Sequence, residues 1–331
     1  MSRSMHCKSL LSIFLLVHLV PTYGTAGEDS LYVPPSLFRY ADNQRYMITG
    51  GTPRIESDLQ AAPTIAFGVG LTGLIVGLHI YQRNAWWPEG DSAEFHVQED
   101  LEYARGLDKL GHIYTTYVMS TFCGDVLMEC GLNQTAAMWT GAGMGFAYTI
   151  YVEIQDGYAK EWGFSPSDAV ADLVGATYYA AQYQIPFLQN FTPRWSYVPA
   201  SWVGYPVSNN RQKIFIDDYN STTFWLACNV NNLLPADAAA YWPDWLMFSV
   251  GYGIKNYDVV DASGTPVGVT RRYLFGLDYD WVKIIPESSI GVVNYLRQAL
   301  NYIRLPGPTL EVGDEGVKFG LFYPFAIVVP L

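Results

Sequence analysis

Three pairs of ionisable side chains in the first half of this sequence have a spacing that suits a chemical site. The pairs are Asp108 with His112, Glu153 with Asp156, and Asp168 with Asp172. Residues three or four apart are neighbours on one face of a helix. Three such helices packed together would bring carboxylates and an imidazole to one place, where they could bind a divalent metal ion or transfer protons.

The residues around these pairs favour a buried site. The same helix faces carry small or hydroxylic residues, such as Thr116, Thr149 and Gly175. Buried ionisable groups are costly unless they are paired or bound to a metal, so the three polar faces should meet or line a wet cavity. The catalytic candidates, with no role assigned, are Asp108, His112, Glu153, Asp156 and Asp172. The candidate ligands of a possible divalent metal ion are Asp108, His112, Glu153, Asp156, Asp168 and Asp172.

A purely structural interpretation of the same residues is also open. In it, Asp108 is a favourable charge at a helix N-terminus, His112 pairs with Asp156, and Asp168 is only part of a helix cap. Capping does not explain Asp172, because a like charge four residues away on a helix is unfavourable. The sequence contains no nucleophile elbow, P-loop, paired CxxC or HExxH motif, so hydrolases of those types are not supported.

The pairs fall on the last three of four predicted helices. We place these helices at residues 61–82, 103–130, 135–156 and from 165 to just before Pro186. Short loops between apolar helices predict a four-helix bundle. The first helix has no charged residue over its 22 positions, which is long enough to cross a bilayer; a wholly buried core helix is the equal alternative. Ser165 and Pro166 suit the N-cap and first position of the fourth helix.

The hydrophobic pattern of the sequence changes after Pro193. Short aromatic segments with strand-like alternation replace the long apolar runs, and one helix is predicted over residues 290–304. Four or five strands are too few to close an outer-membrane barrel, so we expect a small antiparallel sheet against the bundle. The predicted fold class is α+β. The predicted organisation is a signal peptide at 1–26, an extended segment at 27–60, an apolar helical bundle at 61–192 and an aromatic-rich β part with one helix at 193–331.

Composition narrows the possible partners. Half of the residues are hydrophobic and 15% are charged, against about a quarter charged in an average soluble protein, which favours a large core or contact with membrane lipid. A formal net charge of −12 with no basic run makes the protein a poor nucleic-acid binder. Cys123, Cys130 and Cys228 are too few and too unevenly placed for a disulfide framework, so we expect buried thiols.

The first 26 residues have the layout of a signal peptide. Arg3 and Lys8 precede an apolar stretch over residues 10–20, and Gly24-Thr25-Ala26 supplies small residues for cleavage. No cysteine lies at the cleavage region, so bacterial lipid attachment there is not expected. The prediction is export to the cell envelope, with the mature protein periplasmic or membrane-associated.

Several spaced motifs resemble an uncharacterised bacterial family of predicted periplasmic lipoproteins, domain of unknown function 2279. They are Asp108-Lys109-Leu110-Gly111-His112, Glu153-Ile154-Gln155-Asp156-Gly157, and Trp162-Gly163-Phe164-Ser165 with Asp168 and Asp172. Further motifs downstream, such as Asp217-Asp218-Tyr219, resemble longer members of that family. The missing lipid-attachment cysteine departs from the family's name. The Asp-Lys-x-x-His motif bears a weaker resemblance to VanZ-like membrane proteins.

The resemblance implies a bacterial envelope protein of unknown activity. Together with the residue patterns, it predicts membrane association through the apolar helical bundle and a buried Asp/Glu/His cluster. The alternative is a metal-dependent hydrolase that acts on a lipid or glycan of the envelope.

The signal-peptide interpretation makes a direct prediction. Cleavage after Ala26 should give a mature chain that begins near Gly27, because the small residues at that point suit signal peptidase. Edman sequencing of the protein from the envelope fraction measures this. A cytoplasmic chain that still begins at Met1 would overturn the envelope assignment.

Overall fold

The computed structural model describes residues 31–88, 90, 92–208, 215–314 and 316–330. The predicted signal peptide therefore lies outside the described residues. Four long helices occupy the first half of the described chain. They are α1 (Ala61–Ala85), α2 (Leu107–Glu129), α3 (Gln134–Asp156) and α4 (Pro166–Gln184). The second helix begins later than predicted because Tyr103–Gly106 forms a 3-10 turn.

Local sequence signals explain where two of these helices begin. The side chain of Asn133 accepts a hydrogen bond from the backbone N–H of Ala136 at 2.8 Å and so caps α3. Ser165 caps α4 by accepting from the N–H of Asp168 at 3.2 Å, and Pro166 takes the first helical position. Side-chain oxygens at this position satisfy backbone donors that have no partner within the helix. The predicted cap of α4 is confirmed.

Helices α2, α3 and α4 pack so closely that glycines are required between them. A Cβ atom at Gly145 of α3 would lie 2.8 Å from the backbone nitrogen of Ser120 in α2, and one at Gly175 of α4 would lie 3.0 Å from the Cβ of Thr116. The closeness of these backbones brings together the faces of the three helices that carry the ionisable pairs.

Helix α1 is packed differently. An 18-residue window of α1 has a mean hydropathy of 1.8, and no residue of that window is buried. Among the described residues, α1 is the one helix that is long and apolar enough to cross a membrane, judged by length and composition. A Cβ atom at Gly73 or Gly77 would meet nothing within 4 Å. The alternative of a wholly buried core helix is therefore wrong. Four apolar helices are present, but the closely packed bundle consists of α2, α3 and α4.

The second half of the chain forms a seven-stranded antiparallel sheet in which each strand pairs with the next along the sequence. This is more than the four or five strands predicted. The strands are β3 (Phe191–Tyr197), β4 (Thr222–Cys228), β5 (Leu246–Lys255), β6 (Thr270–Tyr279), β7 (Gly307–Gly313), β8 (Gly316–Tyr323) and β9 (Phe325–Pro330). The predicted α+β class is confirmed.

Smaller elements connect these parts. A two-stranded sheet, β1 (Arg39–Tyr40) with β2 (Asn43–Gln44), lies in the segment before α1. The short helices are α5 (Val230–Leu233), α6 (Ala236–Ala239), α7 (Trp281–Ile284) and α8 (Gly291–Ala299). The predicted helix over residues 290–304 is thus confirmed as α8, although it ends earlier, in a 3-10 turn at Leu300–Tyr302.

The large sheet contacts the helices through one of its faces. A Cβ atom added at Gly111 of α2 would lie 3.5 Å from the ring of Phe224 in β4. The centroid of the Phe224 ring is 5.7 Å from the ring centroid of Tyr114, also in α2. The opposite face of the sheet contains buried ion pairs, such as Arg194 with Asp278 at 2.9 Å. Its charged side chains therefore point away from α2.

The close packing of α2 against α3 can be tested with two glycines on the same helix. A Cβ atom at Gly141 would lie 2.6 Å from the backbone nitrogen of Gly124 and 2.7 Å from the carbonyl oxygen of Ser120, and backbone cannot move aside cheaply. We expect Gly141→Ala to lower the free energy of unfolding by about 1–3 kcal/mol.

The matched control is Gly143→Ala, where a Cβ atom meets nothing within 4 Å. This variant should be stabilised by up to about 1 kcal/mol because alanine favours the helix. Chemical denaturation of both variants measures the difference. Equal effects at the two positions would contradict the packing described here.

Candidate metal centre

Helices α3 and α4 each place a carboxylate on one side of the ring of His112, which belongs to α2. The Nδ1 atom of His112 lies 3.1 Å from Oδ1 of Asp172 and 3.7 Å from Oε1 of Glu153. One ligand atom from each of these three residues lies within 4.8 Å of the other two. One imidazole nitrogen and two carboxylates are therefore close enough together to bind a single metal ion.

The other ring nitrogen of His112 faces a second pair of carboxylates. Its Nε2 atom lies 3.5 Å from Oδ1 of Asp168 and 3.9 Å from Oδ2 of Asp108. These three residues form a second group with metal-ligand spacing. The imidazole thus stands between two acidic groups.

A lysine already neutralises the second group. The Nζ atom of Lys109 lies 2.6 Å from Asp168 Oδ1, 2.9 Å from Asp108 Oδ2 and 2.6 Å from Asp100 Oδ1. Lys109 and Asp168 are buried, where an ion pair is poorly screened by water. An ammonium group therefore occupies the position that a cation would take on this side of the ring.

No such cation accompanies the first group. Within the described part of the chain, the ion pairs of Glu153 and Asp172 are with His112. Asp172 is fully buried; its Oδ1 accepts a hydrogen bond from Thr116 Oγ1 at 2.9 Å, but its Oδ2 has no hydrogen-bond partner. A buried carboxylate oxygen without a partner is costly, and this cost points to a ligand that completes the group.

The electrostatics of the cluster shift the pKa values of its members strongly. Burial raises the pKa of Glu153 to about 9, although the nearby His112 charge opposes this. Burial also raises the pKa values of Asp156 and Asp168, each to about 7. Glu153 therefore holds a proton at neutral pH when no metal ion is bound.

His112 and Asp108 shift in the directions that favour their charged forms. Burial by itself lowers the pKa of His112, but the hydrogen bond with Asp172 and the charge of Asp108 raise it well above its ordinary value. Burial by itself raises the pKa of Asp108, but the charges of His112 and Lys109 lower it below its ordinary value. The metal-free cluster thus balances its negative charge with Lys109, a protonated imidazole and a protonated carboxyl group.

The structure corrects two elements of the structural interpretation. His112 does not pair with Asp156, because Asp172 is its nearest acidic partner and Asp156 Oδ1 accepts from Trp87 Nε1 at 2.5 Å. Asp168 is more than a cap, because its carboxylate contacts Lys109. It also lies inside the cluster and not at its edge, since only 4% of it is exposed.

The cluster opens to solvent on the side of Asp108, His112 and Asp156, which are its partly exposed members. Two aromatic side chains that directly follow α1 lie at or near this side. Trp87 donates to Asp156, and Trp86 Nε1 donates to Asp217 Oδ2 at 2.8 Å. The entrance of the cluster therefore lies at the C-terminal end of α1.

Sequence reasoning missed three participants. Asp100 and Lys109 were assigned no role, although Lys109 directly follows Asp108 and a basic residue inside a predicted apolar helix is itself a signal. Tyr219, whose hydroxyl donates to Asp108 Oδ1 at 2.7 Å, lies 111 residues away in sequence and could not be placed.

The other histidines and the cysteines within the described residues lie outside the cluster. His79 Nδ1 lies 2.7 Å from the Tyr151 hydroxyl, and His96 Nε2 lies 3.0 Å from the carbonyl oxygen of Trp162. Cys123, Cys130 and Cys228 are free thiols, and the first two are buried. The prediction that they form no disulfide is confirmed.

Comparison with known proteins gives one match. Residues 98–184 match the family model described as "Predicted periplasmic lipoprotein (DUF2279)". No curated protein and no solved structure matches the chain. The family's description confirms the prediction of export to the cell envelope. It also confirms the resemblance read from the motifs: residues 98–184, which contain all six predicted site residues, are the region that this chain shares with the family of predicted periplasmic lipoproteins.

Proposed function

We propose that the protein is a membrane-associated envelope protein that binds a divalent metal ion through His112 Nδ1, Glu153 and Asp172. The observation that carries this proposal is the fully buried carboxylate of Asp172, whose Oδ2 has no hydrogen-bond partner. The nearest side chains with metal-ligand chemistry are His112 and Glu153. A cation in this group would supply the positive charge that Lys109 supplies on the other side of the ring.

The ligand chemistry favours a transition metal over calcium or magnesium. Calcium and magnesium are bound mainly by oxygen atoms, whereas a set of one imidazole and two carboxylates suits zinc, manganese or iron. Asp108 and Asp168 then act as partners of the ligand His112, through its Nε2 atom, and not as ligands themselves. A carboxylate beside the second ring nitrogen fixes the orientation of a metal-bound histidine and raises its basicity.

The proposed membrane contact is made by α1. Its apolar side chains are exposed along its whole length, as at Ile65, Val69 and Ile80, which is costly in water. Trp86 and Trp87 follow its C-terminus, and tryptophan is enriched where a membrane meets water. This arrangement would place the entrance of the acidic cluster at the membrane interface.

A metal-dependent hydrolase that acts on an envelope lipid or glycan is the second candidate. Three protein ligands leave a coordination position for water, as in catalytic zinc sites. The position of the entrance beside α1 favours a lipid substrate over a soluble one. Release of water-soluble product from lipid vesicles by the zinc-loaded protein, and not by the metal-free protein, would distinguish this candidate from simple metal binding.

The metal site can be tested with two conservative substitutions. Glu153→Gln should abolish zinc binding because it removes a ligand, yet it should change the melting temperature of the metal-free protein little, since glutamine resembles the protonated carboxyl group already present at neutral pH. Asp108→Asn should only weaken zinc binding, by about 10–100-fold, because it acts through the histidine. Isothermal titration and a thermal melt of each variant measure the two effects.

Asp237→Asn, in the exposed helix α6, is the control that should leave both quantities unchanged. If Glu153 is instead an ionised member of a purely structural network, Glu153→Gln should destabilise the protein by about 3–5 kcal/mol. That result, together with no zinc binding by the unmodified protein, would retire the metal site.

The pKa shifts predict how the stability of the metal-free protein depends on pH. The pKa of Glu153 is raised from an ordinary value of 4.5 to about 9, so between these values the folded protein holds a proton that the unfolded chain has released. The pKa of His112 is shifted in the same direction. The free energy of unfolding should therefore fall as the pH rises from about 5 to about 9.

Differential scanning fluorimetry in the presence of a chelator measures this slope. Saturating zinc should reduce the slope, because the metal ion replaces the bound protons, and zinc affinity should increase with pH. In Glu153→Gln the slope should be smaller even without zinc. A metal-free protein that becomes more stable over this range would contradict the described protonation states.

A further inference from the structure

The large sheet has a reversed distribution of polar and apolar side chains. Along β6, Arg272, Leu274 and Asp278 are buried, while the alternating residues Tyr273 and Phe275 are exposed. Antiparallel sheets in water usually bury their apolar face and expose their polar face. In this sheet most of the ionic side chains lie on the face away from α2, here called the inner face. The outer face carries aromatic and aliphatic groups; it meets α2 at Phe224 and is exposed beyond that contact.

The charged side chains of the inner face make contacts within the protein. Lys255 pairs with Glu311 at 2.7 Å, and Glu311 Oε2 accepts from the hydroxyl of Tyr323 at 2.5 Å. Arg304 donates to Thr309 Oγ1 at 2.7 Å. These contacts make the inner face a polar core and leave the apolar side chains of the strands on the outer face.

The outer face is apolar across several neighbouring strands. Val250 of β5 lies opposite Leu226 of β4 and opposite Phe275 of β6. Phe275 in turn lies opposite Leu310 of β7, which lies opposite Phe319 of β8. Side chains opposite one another in adjacent strands are in contact distance. They therefore form one continuous apolar surface from β4 to β8.

Aromatic side chains border this surface at both ends of the strands. Tyr279 lies beside Trp245 and Trp281, with ring centroids 6.2 and 5.8 Å apart, and Tyr252 lies beside Tyr273 at 5.6 Å. Tyr273 and Tyr279 are six positions apart in β6, which corresponds to about 20 Å along a strand. Membrane-embedded sheets have an apolar band about 25 Å tall between two girdles of aromatic residues.

We propose that the exposed part of the outer face, which includes Val250, Phe275 and Phe319, contacts the acyl chains of a lipid bilayer. The inference goes beyond the proposed anchoring by α1, because it assigns a membrane contact to the β part of the chain. A second copy of the chain would be the other possible cover. However, α1 carries an 18-residue apolar window with no buried residue and is long enough to cross a bilayer, and a lipid environment for that helix is available to the sheet of the same chain. One environment of acyl chains accounts for both surfaces.

Labelled cysteines distinguish the occupants of this face. In the full mature chain with Cys228→Ser, a single cysteine is introduced by Phe275→Cys or Val250→Cys and labelled with an environment-sensitive fluorophore. The protein is reconstituted into phosphatidylethanolamine–phosphatidylglycerol vesicles that contain a lipid with a nitroxide deep in its acyl chain. Ser263→Cys, in an exposed turn, is the matched control, and Val69→Cys reports on α1.

We expect the nitroxide lipid to quench the labels at 250 and 275 several-fold more strongly than the label at 263, and aqueous iodide to show the reverse order. Labels at 250 and 275 that are quenched by iodide, or that show energy transfer between two copies of the chain, would overturn the proposal. If only the label at 69 is quenched by the lipid, anchoring by α1 stands and the sheet inference fails. If none of the three is quenched, both fail.

Discussion

The close approach of α2, α3 and α4 is the constraint on which the acidic cluster depends. Glu153 of α3 and Asp172 of α4 both reach the imidazole of α2 across helix contacts that leave no room for a Cβ atom. The glycines at 141, 145 and 175 remove the side chains that would hold the backbones apart. The site is therefore determined as much by residues without chemistry as by the six that have it.

Within this tight space, the protein balances a large negative charge in two different ways. On one side of His112, the balance is built into the chain, because Lys109 contacts three carboxylates. On the other side, Glu153 relies on a bound proton and one oxygen of Asp172 has no partner. The first arrangement is built into the chain, whereas under the proposed function the second is where a metal ion would replace the proton. This asymmetry, and not the number of acidic residues, is what distinguishes a binding site from an ion-pair network.

The sequence was sufficient for the features that depend on short-range spacing. The helix pairs, the Ser165 cap and the apolar character of α1 follow from residues within a few turns of one another. Contacts between distant segments could not be predicted, and the Tyr219–Asp108 hydrogen bond is an example. The strands were undercounted because β3 and β7 contain Pro193, Arg194 and Glu311, which normally indicate an exposed loop. Here the charged residues are buried on the inner face, so the usual relation between polarity and exposure is reversed.

The reversed sheet also has a consequence for the biogenesis of the protein. A chain that exposes a continuous apolar surface cannot remain alone in an aqueous compartment for long, because such surfaces drive aggregation. Between export and its final position, residues such as Phe248 and Phe275 must be shielded, either by delayed folding of the sheet or by a holdase that releases the chain at its destination. On this reasoning, the sheet should complete its folding only where its outer face can be covered.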